Sequence, residues 1–427
     1  MALSAKITLP IAEPALLAAS APRVKQGLYL ARAGDCIGCH TRPGGAPFAG
    51  GLALATPFGS IVSTNITPDK NDGIGNYSEA QFVRLMRQGI TETGHNIYPA
   101  MPYASYARLS DEDLGALYAY FMQGLAPVKQ VNTETNLPWP LSVRWLVTAW
   151  NWLYLPSKPY AADADKSAEW NRGAYLVQGL GHCGACHTPR SALGGEKTIT
   201  EKGSEKFLAG AVIDGWYAQP LRTVEGSQVG LGNWSAQSIV QYLKTGRNKH
   251  TAAFGSMADV VGNSTQHLNN ADLMAITVYL KSVGDAVPAK PPLAQLTRSA
   301  AVSTPSPTQA SLRTGQTSTP GALIYLNNCA GCHQSSGKGA GSTFPALAQS
   351  STVAALDATS LIRIVLQGSN MHSTQTAPSA LAMPGLEWRL SDANVAEVLT
   401  FVRSSWGNRA EAVSAQSVAK VRAEIQK

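Results

Sequence analysis

The sequence predicts an all-α chain that contains three tandem copies of one small helical domain, joined by irregular loops and linkers. Three observations support this fold class. All six cysteines of the 427 residues belong to a C-x-x-C-H motif that occurs three times. A helical stretch that begins with Gly and carries an aromatic residue precedes each motif. A thirteen-residue helical segment follows each motif, so the repeat covers a whole domain rather than a short motif.

The opening helix of each copy lies eight to ten residues before its first cysteine. The three stretches are Gly27-Leu28-Tyr29-Leu30, Gly173-Ala174-Tyr175-Leu176 and Gly321-Ala322-Leu323-Ile324-Tyr325.

The closing helices are predicted from three segments that align without gaps, namely Leu109–Phe121, Leu268–Leu280 and Leu390–Val402. Ser110, Asn269 and Ser391 are suitable N-cap residues. Acidic residues follow in the first turn of each segment, where the helix dipole favours them. Apolar residues then recur at helical spacing, which predicts one buried face per helix.

The C-x-x-C-H motif is the signal for covalent attachment of a c-type haem. Two thiols three positions apart on a tight turn can reach both vinyl groups of one porphyrin, and the next residue then ligates the iron. The cysteines are Cys36, Cys39, Cys183, Cys186, Cys329 and Cys332, and the proximal histidines are His40, His187 and His333. Two alternatives are a thioredoxin-like redox pair, which needs a βαβ context, and a zinc cluster formed in space.

A second axial ligand is predicted from methionines that stand shortly before each closing helix. These are Met101, Met257 and Met383, each expected in a loop beside Pro or Gly. A Met ligand raises the potential of a haem. Met371 competes with Met383 for the third haem, while the other methionines fit apolar core patterns. The histidines outside the motifs, at positions 95, 182, 250, 267 and 372, are expected at the surface or in hydrogen bonds.

The fold resembles the class I cytochrome c fold, in which the first and last helices cross at a glycine–aromatic contact. That contact is expected for Gly27 with Tyr118, Gly173 with Tyr279, and Gly321 with Phe401, although these aromatic residues also suit an ordinary core. Further stretches are Phe48-Ala49-Gly50-Gly51, Ser63-Thr64-Asn65-Ile66-Thr67-Pro68, His95-Asn96-Ile97-Tyr98-Pro99-Ala100-Met101-Pro102-Tyr103, Ala253-Phe254-Gly255-Ser256-Met257-Ala258 and Phe401-Val402-Arg403-Ser404-Ser405-Trp406-Gly407-Asn408. Through them the chain resembles, over about 24–409, the triple-haem cytochrome c subunit of bacterial membrane-bound dehydrogenases.

The resemblance implies an electron-transfer subunit without substrate chemistry of its own, bearing three covalently bound haems c. It implies a large catalytic subunit that uses pyrroloquinoline quinone, flavin or molybdopterin, a small third subunit, and ubiquinone or a terminal oxidase as acceptor. It also implies a periplasmic location at the outer face of the cytoplasmic membrane. Two alternatives are a haem peroxidase, which needs one open iron, and the cytochrome c subunit of a terminal oxidase.

The predicted organisation has six parts: domain 1 at 22–128, a Trp-rich linker at 129–167, domain 2 at 168–284, a Pro/Ser/Thr-rich linker at 285–318, domain 3 at 319–409 and a tail at 410–427. The net charge of +7 comes without a dense Lys/Arg run or a reader motif, which excludes a nucleic-acid partner. Residues 1–22 are broken by Pro10, Glu13 and Pro14 and make a poor signal-peptide core, so the leader is expected to be missing, replaced or unusual.

Three connecting segments carry expectations of their own. The Pro, Ala, Ser and Thr content of 285–318 predicts an extended or flexible linker. Residues 141–155 hold Trp145, Trp150 and Trp152 and are too short to span a bilayer; a buried helix, a subunit contact and a membrane-surface contact are the interpretations. The apolar spacing of the tail predicts a short amphipathic helix that packs against a domain.

Overall fold

The structure, a computed structural model, describes residues 11–12, 14–17, 21–56, 58–202, 204–222, 228–284, 307–317, 319–341 and 343–426. The chain forms two compact units. The N-terminal unit comprises Pro10–Phe207 and Asn263–Tyr279, and the C-terminal unit contains Leu208–Gly262 and Leu280–Lys427, in each case as far as these residues are described. The chain is mostly helical.

The first part of the chain, up to residue 207, contains eight α-helices and one strand pair within its described residues. Their bounds are α1 Pro22–Ala33, α2 Cys36–Cys39, β1 Ala53–Thr56, β2 Gly59–Val62, α3 Glu79–Gln88, α4 Tyr103–Tyr106, α5 Asp111–Ala119, α6 Val147–Tyr154, α7 Ala168–Tyr175 and α8 Gly184–His187. Single π-helical turns at Tyr120–Gly124 and Leu176–Leu180 follow α5 and α7, and a 3₁₀ turn at Arg144–Leu146 leads into α6.

The remaining described residues contain ten helices and two strand pairs. Their bounds are β3 Ala211–Ile213, β4 Trp216–Ala218, α9 Ala236–Thr245, α10 Ser256–Asn263, α11 Asn270–Ser282, α12 Pro307–Thr314, α13 Pro320–Asn328, α14 Ala330–His333, α15 Ser351–Ala354, α16 Thr359–Gln367, β5 Gly368–Met371, β6 Leu381–Pro384, α17 Asp392–Ser404 and α18 Ala415–Ile425. A 3₁₀ turn at Thr265–His267 precedes α11.

The all-α prediction holds for the bulk of the chain but omits three antiparallel two-stranded hairpins. Each strand of these hairpins is only three or four residues long. That is too short for the alternation of apolar and polar residues to reveal a strand. A two-residue turn joins β3 to β4, and a longer loop joins β5 to β6.

The predicted N-caps are confirmed. The hydroxyl of Ser110 accepts from the backbone N–H of Asp113 at 3.1 Å, and the side-chain oxygen of Asn269 accepts from that of Asp272 at 2.8 Å. Ser391 forms a reciprocal capping box with Asn394. These caps fix where α5, α11 and α17 begin.

The opening and closing helices cross at glycines, as expected. A Cβ added to Gly173 would collide with the carbonyl of Ala275 and lie 2.8 Å from the Cβ of Tyr279, and one added to Gly321 would lie 2.9 Å from the Cβ of Phe401. The expected partner of Gly27 was wrong, because Gly27 meets Ala116 and Tyr120. Tyr118 lies two positions before Tyr120, and two positions on a helix correspond to a rotation of about 200°, so the two side chains leave the helix on nearly opposite sides.

The side chain of Tyr118 is accordingly directed elsewhere. Its ring contacts Phe82, and its hydroxyl donates to the carbonyl of Tyr77 at 2.8 Å.

The C-terminal helix packs against the third closing helix, as the amphipathic pattern predicts. Val418 and Val421 of α18 are buried in one core with Leu399 and Val402 of α17. Of the predicted linker, residues 285–306 and 318 lie outside the described residues. Pro307–Thr314 is not extended but forms α12, and its Leu312 is buried in the same core.

Within the described ranges, no helix has both the length and the apolar character needed to span a bilayer.

Candidate haem-binding sites

Each C-x-x-C-H motif forms a short helical turn. The N–H of His40 donates to the carbonyl of Cys36 at 3.0 Å, and His187 and His333 donate in the same way to Cys183 and Cys329, both at 2.9 Å. Residues three and four apart on such a turn lie on the same side. The turn therefore presents both thiols and the imidazole of one motif to one side.

No disulfide joins any of the six cysteines of the motifs. Burial raises the pKa of Cys36 and Cys183 to about 12 and that of Cys329 to about 11, so these sulfurs are uncharged at neutral pH. A thioether sulfur is also uncharged. A zinc site would instead need these cysteines as thiolates. Among the described residues, no three His, Cys, Asp or Glu side chains come together where a metal ion could be held.

His40 and His333, both predicted as proximal ligands, are each oriented by a backbone carbonyl. His40 Nδ1 lies 2.7 Å from the carbonyl oxygen of Thr64, and His333 Nδ1 lies 2.8 Å from that of Pro345. A carbonyl only accepts, so Nδ1 carries the proton and Nε2 keeps its lone pair for a metal.

Burial also lowers the pKa of His40 and His333, which favours the neutral, ligating imidazole. The first and third motifs therefore fit a haem on chemical grounds that do not depend on the motif itself.

The carbonyl partners were missed by sequence reasoning because a backbone oxygen leaves no signal in residue type. Thr64 lies within one of the stretches that carry the family resemblance, and the next residue explains how it is held. Asn65 is buried; its side chain accepts from the N–H of Thr67 at 2.9 Å and donates to the carbonyl of Val128 at 2.8 Å. The loop that carries the Thr64 carbonyl is thus fixed by a side chain whose role the sequence did not reveal.

The predicted distal methionines lie in three different settings. Met101 is in a loop, as expected, directly before α4. Met257 and Met383 are not in loops, because Met257 is the second residue of α10 and Met383 lies on β6. All three side chains are partly buried. Their role as iron ligands stays a prediction.

We use "module" for one copy of the repeat, that is, one C-x-x-C-H motif with its opening and closing helices. In the third module, the packing bears on the choice between Met383 and Met371. In the β5–β6 hairpin Ser369 is paired with Met383, so Met371, two residues beyond Ser369, lies on the same face. Met383 packs against the core that also contacts Cys329 and Ala330. The residue after Met371 is instead tied to α10, since His372 Nε2 lies 2.8 Å from Asp259 Oδ1. The packing favours Met383.

The loop of Met101 is connected to the first motif through α4. The hydroxyl of Tyr106, at the end of that helix, donates to the carbonyl of Gly34, two residues before Cys36, at 3.4 Å. Burial, together with the nearby Cys36 and Cys39, raises the pKa of Tyr106, so this hydroxyl stays protonated as a donor. For the second motif, Cys183, Cys186 and His187 lie in the N-terminal unit and Met257 in the C-terminal unit.

Comparisons with known proteins agree with this geometry. A model described as "Cytochrome c" matches residues 318–406, and one described as "Cytochrome C oxidase, cbb3-type, subunit III" matches residues 22–121. The chain is 48% identical to the gluconate 2-dehydrogenase cytochrome c subunit of Pantoea cypripedii, over 93% of this chain and 89% of that protein.

Two further relatives align over a similar share of this chain. The chain is 46% identical to the cytochrome c subunit of the quinone alcohol dehydrogenase of Gluconobacter oxydans (strain 621H), over 93% of this chain and 82% of that protein. It is 39% identical to the fructose dehydrogenase cytochrome subunit of Gluconobacter japonicus, over 96% of this chain and 85% of that protein. The chain belongs to the family of dehydrogenase cytochrome c subunits. As a member it is an electron carrier rather than a catalytic subunit, with three covalently attached haems c, one per motif.

Proposed function

We propose that this cytochrome subunit carries electrons from a catalytic subunit that oxidises an alcohol, a polyol or an aldehyde to ubiquinone in the membrane or to a terminal oxidase. The oriented, neutral imidazoles of His40 and His333 carry the electron-transfer part of this proposal. The relatives are named for gluconate, alcohol and fructose, and each aligns over more than nine-tenths of this chain. One design of cytochrome subunit therefore suits several catalytic partners that use pyrroloquinoline quinone, flavin or molybdopterin, with or without a small third subunit.

The finer assignment is three tandem class I cytochrome c domains at 22–128, 168–284 and 319–409. In each, two cysteines would hold the haem, and His40, His187 and His333 would ligate the iron opposite Met101, Met257 and Met383. Bound haem supplies an iron that takes up and gives away one electron at a time. The chain's own residues fix the tautomer of His40 and His333 and keep the Cys36 thiol neutral.

Peripheral contact with the membrane belongs to the same proposal. The aromatic band, which we define as Trp139, Trp145, Trp152 and Leu153, has side chains that are 82%, 70%, 83% and 66% exposed. The interpretation of this segment as a buried helix is therefore wrong for these four residues. Trp150 points inward instead, with its indole N–H donating to the carbonyl of Leu193 at 3.1 Å.

The charges near the band favour an anionic lipid surface. Between Glu134 and Asp163 the sequence has no acidic residue, and Arg144 and Lys158 are its only charged residues. Exposed tryptophans combined with positive charge are typical of segments that lie in the membrane interface. This supports peripheral contact with a membrane surface, and we propose that the surface is the outer, periplasmic face of the cytoplasmic membrane.

The experiment that tests the function is purification of the tagged full-length chain from native membranes. We expect a large dehydrogenase subunit to co-purify and the complex to reduce a soluble ubiquinone analogue when given an alcohol, a polyol or an aldehyde. Co-purification with an oxidase core, or peroxide turnover at an open high-spin iron, would contradict the proposal and support one of the two alternatives.

A further inference from the structure

Two tyrosines and two aspartates connect the first two haem modules in a reciprocal way. The hydroxyl of Tyr29 on α1 donates to Asp272 Oδ2 on α11 at 2.6 Å. The hydroxyl of Tyr175 on α7 donates to Asp113 Oδ2 on α5, also at 2.6 Å. Each opening helix therefore bonds to the closing helix of the other module. Arg172 strengthens one side, because its guanidinium donates two hydrogen bonds to the Asp272 carboxylate at 2.7 and 2.8 Å.

The four residues occupy equivalent positions in the repeat. Tyr29 and Tyr175 each stand two residues after the glycine at which their helices cross, and Asp113 and Asp272 are each the third residue of a closing helix. The equivalence extends to the backbone, since the N–H of Ser110 donates to the Tyr175 hydroxyl at 3.1 Å and that of Asn269 to the Tyr29 hydroxyl at 3.3 Å. The first two modules are thus related by an approximate two-fold exchange of contacts.

The third module has different residues at both positions. Leu323 takes the place of the tyrosine and is 43% exposed. Asn394 takes the place of the aspartate, and its side chain accepts hydrogen bonds from the N-cap Ser391. The tyrosine–aspartate exchange is therefore a property of the first two modules, not of the repeat in general.

The backbones that lead into the first two attachment motifs meet at the centre of this pair. The carbonyl of Gly34, two residues before Cys36, lies 3.3 Å from Nε2 of His182, which directly precedes Cys183. The rings of His182 and Tyr106 meet edge to face with centroids 5.8 Å apart. A Cβ on Gly34 would lie 3.2 Å from Leu180 Cδ1 and 3.4 Å from Cys36 Sγ. The backbone before the first motif therefore packs closely against Leu180, which lies shortly before the second motif.

The residues just before the two motifs share an unusual conformation. Asp35 has φ 48° and His182 has φ 34°, both in the left-handed region that non-glycine residues seldom adopt. Such a conformation is strained and persists where the surroundings dictate it. The matched pair agrees with a junction whose geometry is fixed.

We propose that the reciprocal tyrosine–aspartate contacts are positioning groups, which hold the first two attachment motifs at one fixed distance. They would thereby set the rate of electron exchange between the first two haems across the junction of Gly34, Tyr106 and His182. In the transfer, the ferrous iron of one haem loses an electron and becomes ferric, and the ferric iron of the other gains it and becomes ferrous. No bond forms or breaks and no proton moves.

This inference rests on the proposed electron-transfer function, but it is testable without a partner subunit or a quinone. The double variant Tyr29→Phe with Tyr175→Phe removes both hydroxyls, and His182→Ala removes the ring at the junction. Tyr118→Phe is the matched control, because it also deletes one tyrosine hydrogen bond, to the carbonyl of Tyr77, inside the first module. The haem content of each matured full-length chain is counted first.

Two readouts then report on the pair itself. Electron paramagnetic resonance of the fully ferric chain measures the magnetic coupling between neighbouring irons, and injection of a single electron by light measures how fast it redistributes. We expect weaker coupling and at least tenfold slower redistribution in the double variant, at least threefold slower redistribution in His182→Ala, and wild-type behaviour in Tyr118→Phe.

If variants that hold three haems show unchanged magnetic coupling and unchanged rates of electron redistribution, the proposed positioning role is rejected. This holds even if the complex still reduces quinone. If the double variant fails to retain its haems, the same measurements on His182→Ala decide. Slowed redistribution in the variants, combined with failure of the wild-type complex to reduce quinone, would count against the proposed function of the complex but not against the positioning role.

Discussion

The proximal imidazoles show how single residues acquire their role from a neighbour that sequence does not reveal. The motif predicts that His40 and His333 ligate iron, but only the structure supplies the carbonyls of Thr64 and Pro345 that fix their tautomer. Any residue has a carbonyl, so no pattern of residue types could have identified these two. The haem-attachment cysteines were predictable because their chemistry demands particular residues at particular spacing, while ligation by the histidines stays a prediction.

The choice between two methionines of one hairpin gives a prediction at this scale. In Met383→Leu, one of the three haems is expected to lose its sulfur ligand, to become high-spin in the ferric form, and to fall in potential. Met371→Leu is the matched control on the same face of the hairpin. A Met-to-Leu exchange costs less than about 1.5 kcal/mol in a core, so both chains should fold. Optical spectra with a potentiometric titration provide the measurement; a spectral change in the control and none in Met383→Leu would reverse the assignment.

Glu196 is a residue that sequence reasoning did not single out. Its carboxylate lies against the second motif, because a Cβ on Gly184 would collide with Glu196 Oε2. Burial raises its pKa from 4.5 to about 7, against a smaller opposing effect of Arg190. Because the pKa is raised in the folded chain, the unfolded chain loses this proton first as the pH rises. Stability therefore falls between about pH 4.5 and pH 7 and stays lower above that.

Glu196→Gln is expected to lack this part of the pH dependence. The difference between the two chains in free energy of unfolding should change by roughly 2 to 3 kcal/mol from pH 4.5 to pH 8, in favour of the glutamine variant at high pH. Urea unfolding at several pH values measures it. Parallel pH profiles for the two chains would show that the carboxyl group is not buried as described.

The helix crossings are the strongest elements of the fold that sequence could predict. The opening glycines, the N-caps and the apolar spacing are local signals, and they gave the right partner for Gly173 and Gly321. The partner of Gly27 was predicted two residues away from Tyr120, because two aromatic residues share that helix and local pattern alone did not separate them. The hairpin that holds Met383 and the helix that holds Met257 depend on tertiary packing, which overrides weak local preference.

Replacing a crossing glycine tests this element directly. In Gly321→Ala the new methyl group meets the carbonyl of Glu397, so the third module should lose about 1 to 3 kcal/mol of stability. Asn327→Ala, at an exposed position of the same opening helix, is the control and should lose no stability. Thermal and denaturant unfolding followed by haem absorbance compares them, and equal stabilities would argue against a tight crossing.

The aromatic band makes a separate prediction for the helix α6 and the turn before it. Trp145→Ser with Trp152→Ser should weaken binding to vesicles that contain anionic lipid by roughly 10- to 100-fold, since two large side chains no longer leave water. Trp388→Ser is the matched control because Trp388 is also exposed, at 71%, but lies outside the band. Trp150 is unsuitable, as its change would disturb packing against Tyr103 and Tyr154. Unchanged vesicle binding by the folded double variant would reject membrane contact through the band.

On the scale of the whole molecule, three copies of one repeat have acquired different surroundings. The first two exchange tyrosine–aspartate contacts, while Leu323 and Asn394 replace those residues in the third, which is covered instead by the C-terminal helix α18. The sequence showed the repeat but not this division, because a tyrosine or an aspartate on a helix carries no local signal of a partner in another copy of the repeat. Long-range partners of such residues follow only from the packing of the modules.

The central claim is that three irons are covalently held in this chain, each between an imidazole and a methionine sulfur. A pyridine haemochrome assay with protein quantification on the matured chain, combined with the ferric optical spectrum, tests it most directly. The account predicts three haems per chain, all low-spin. Fewer than three covalently held haems, or a persistent high-spin fraction of one third, would contradict it.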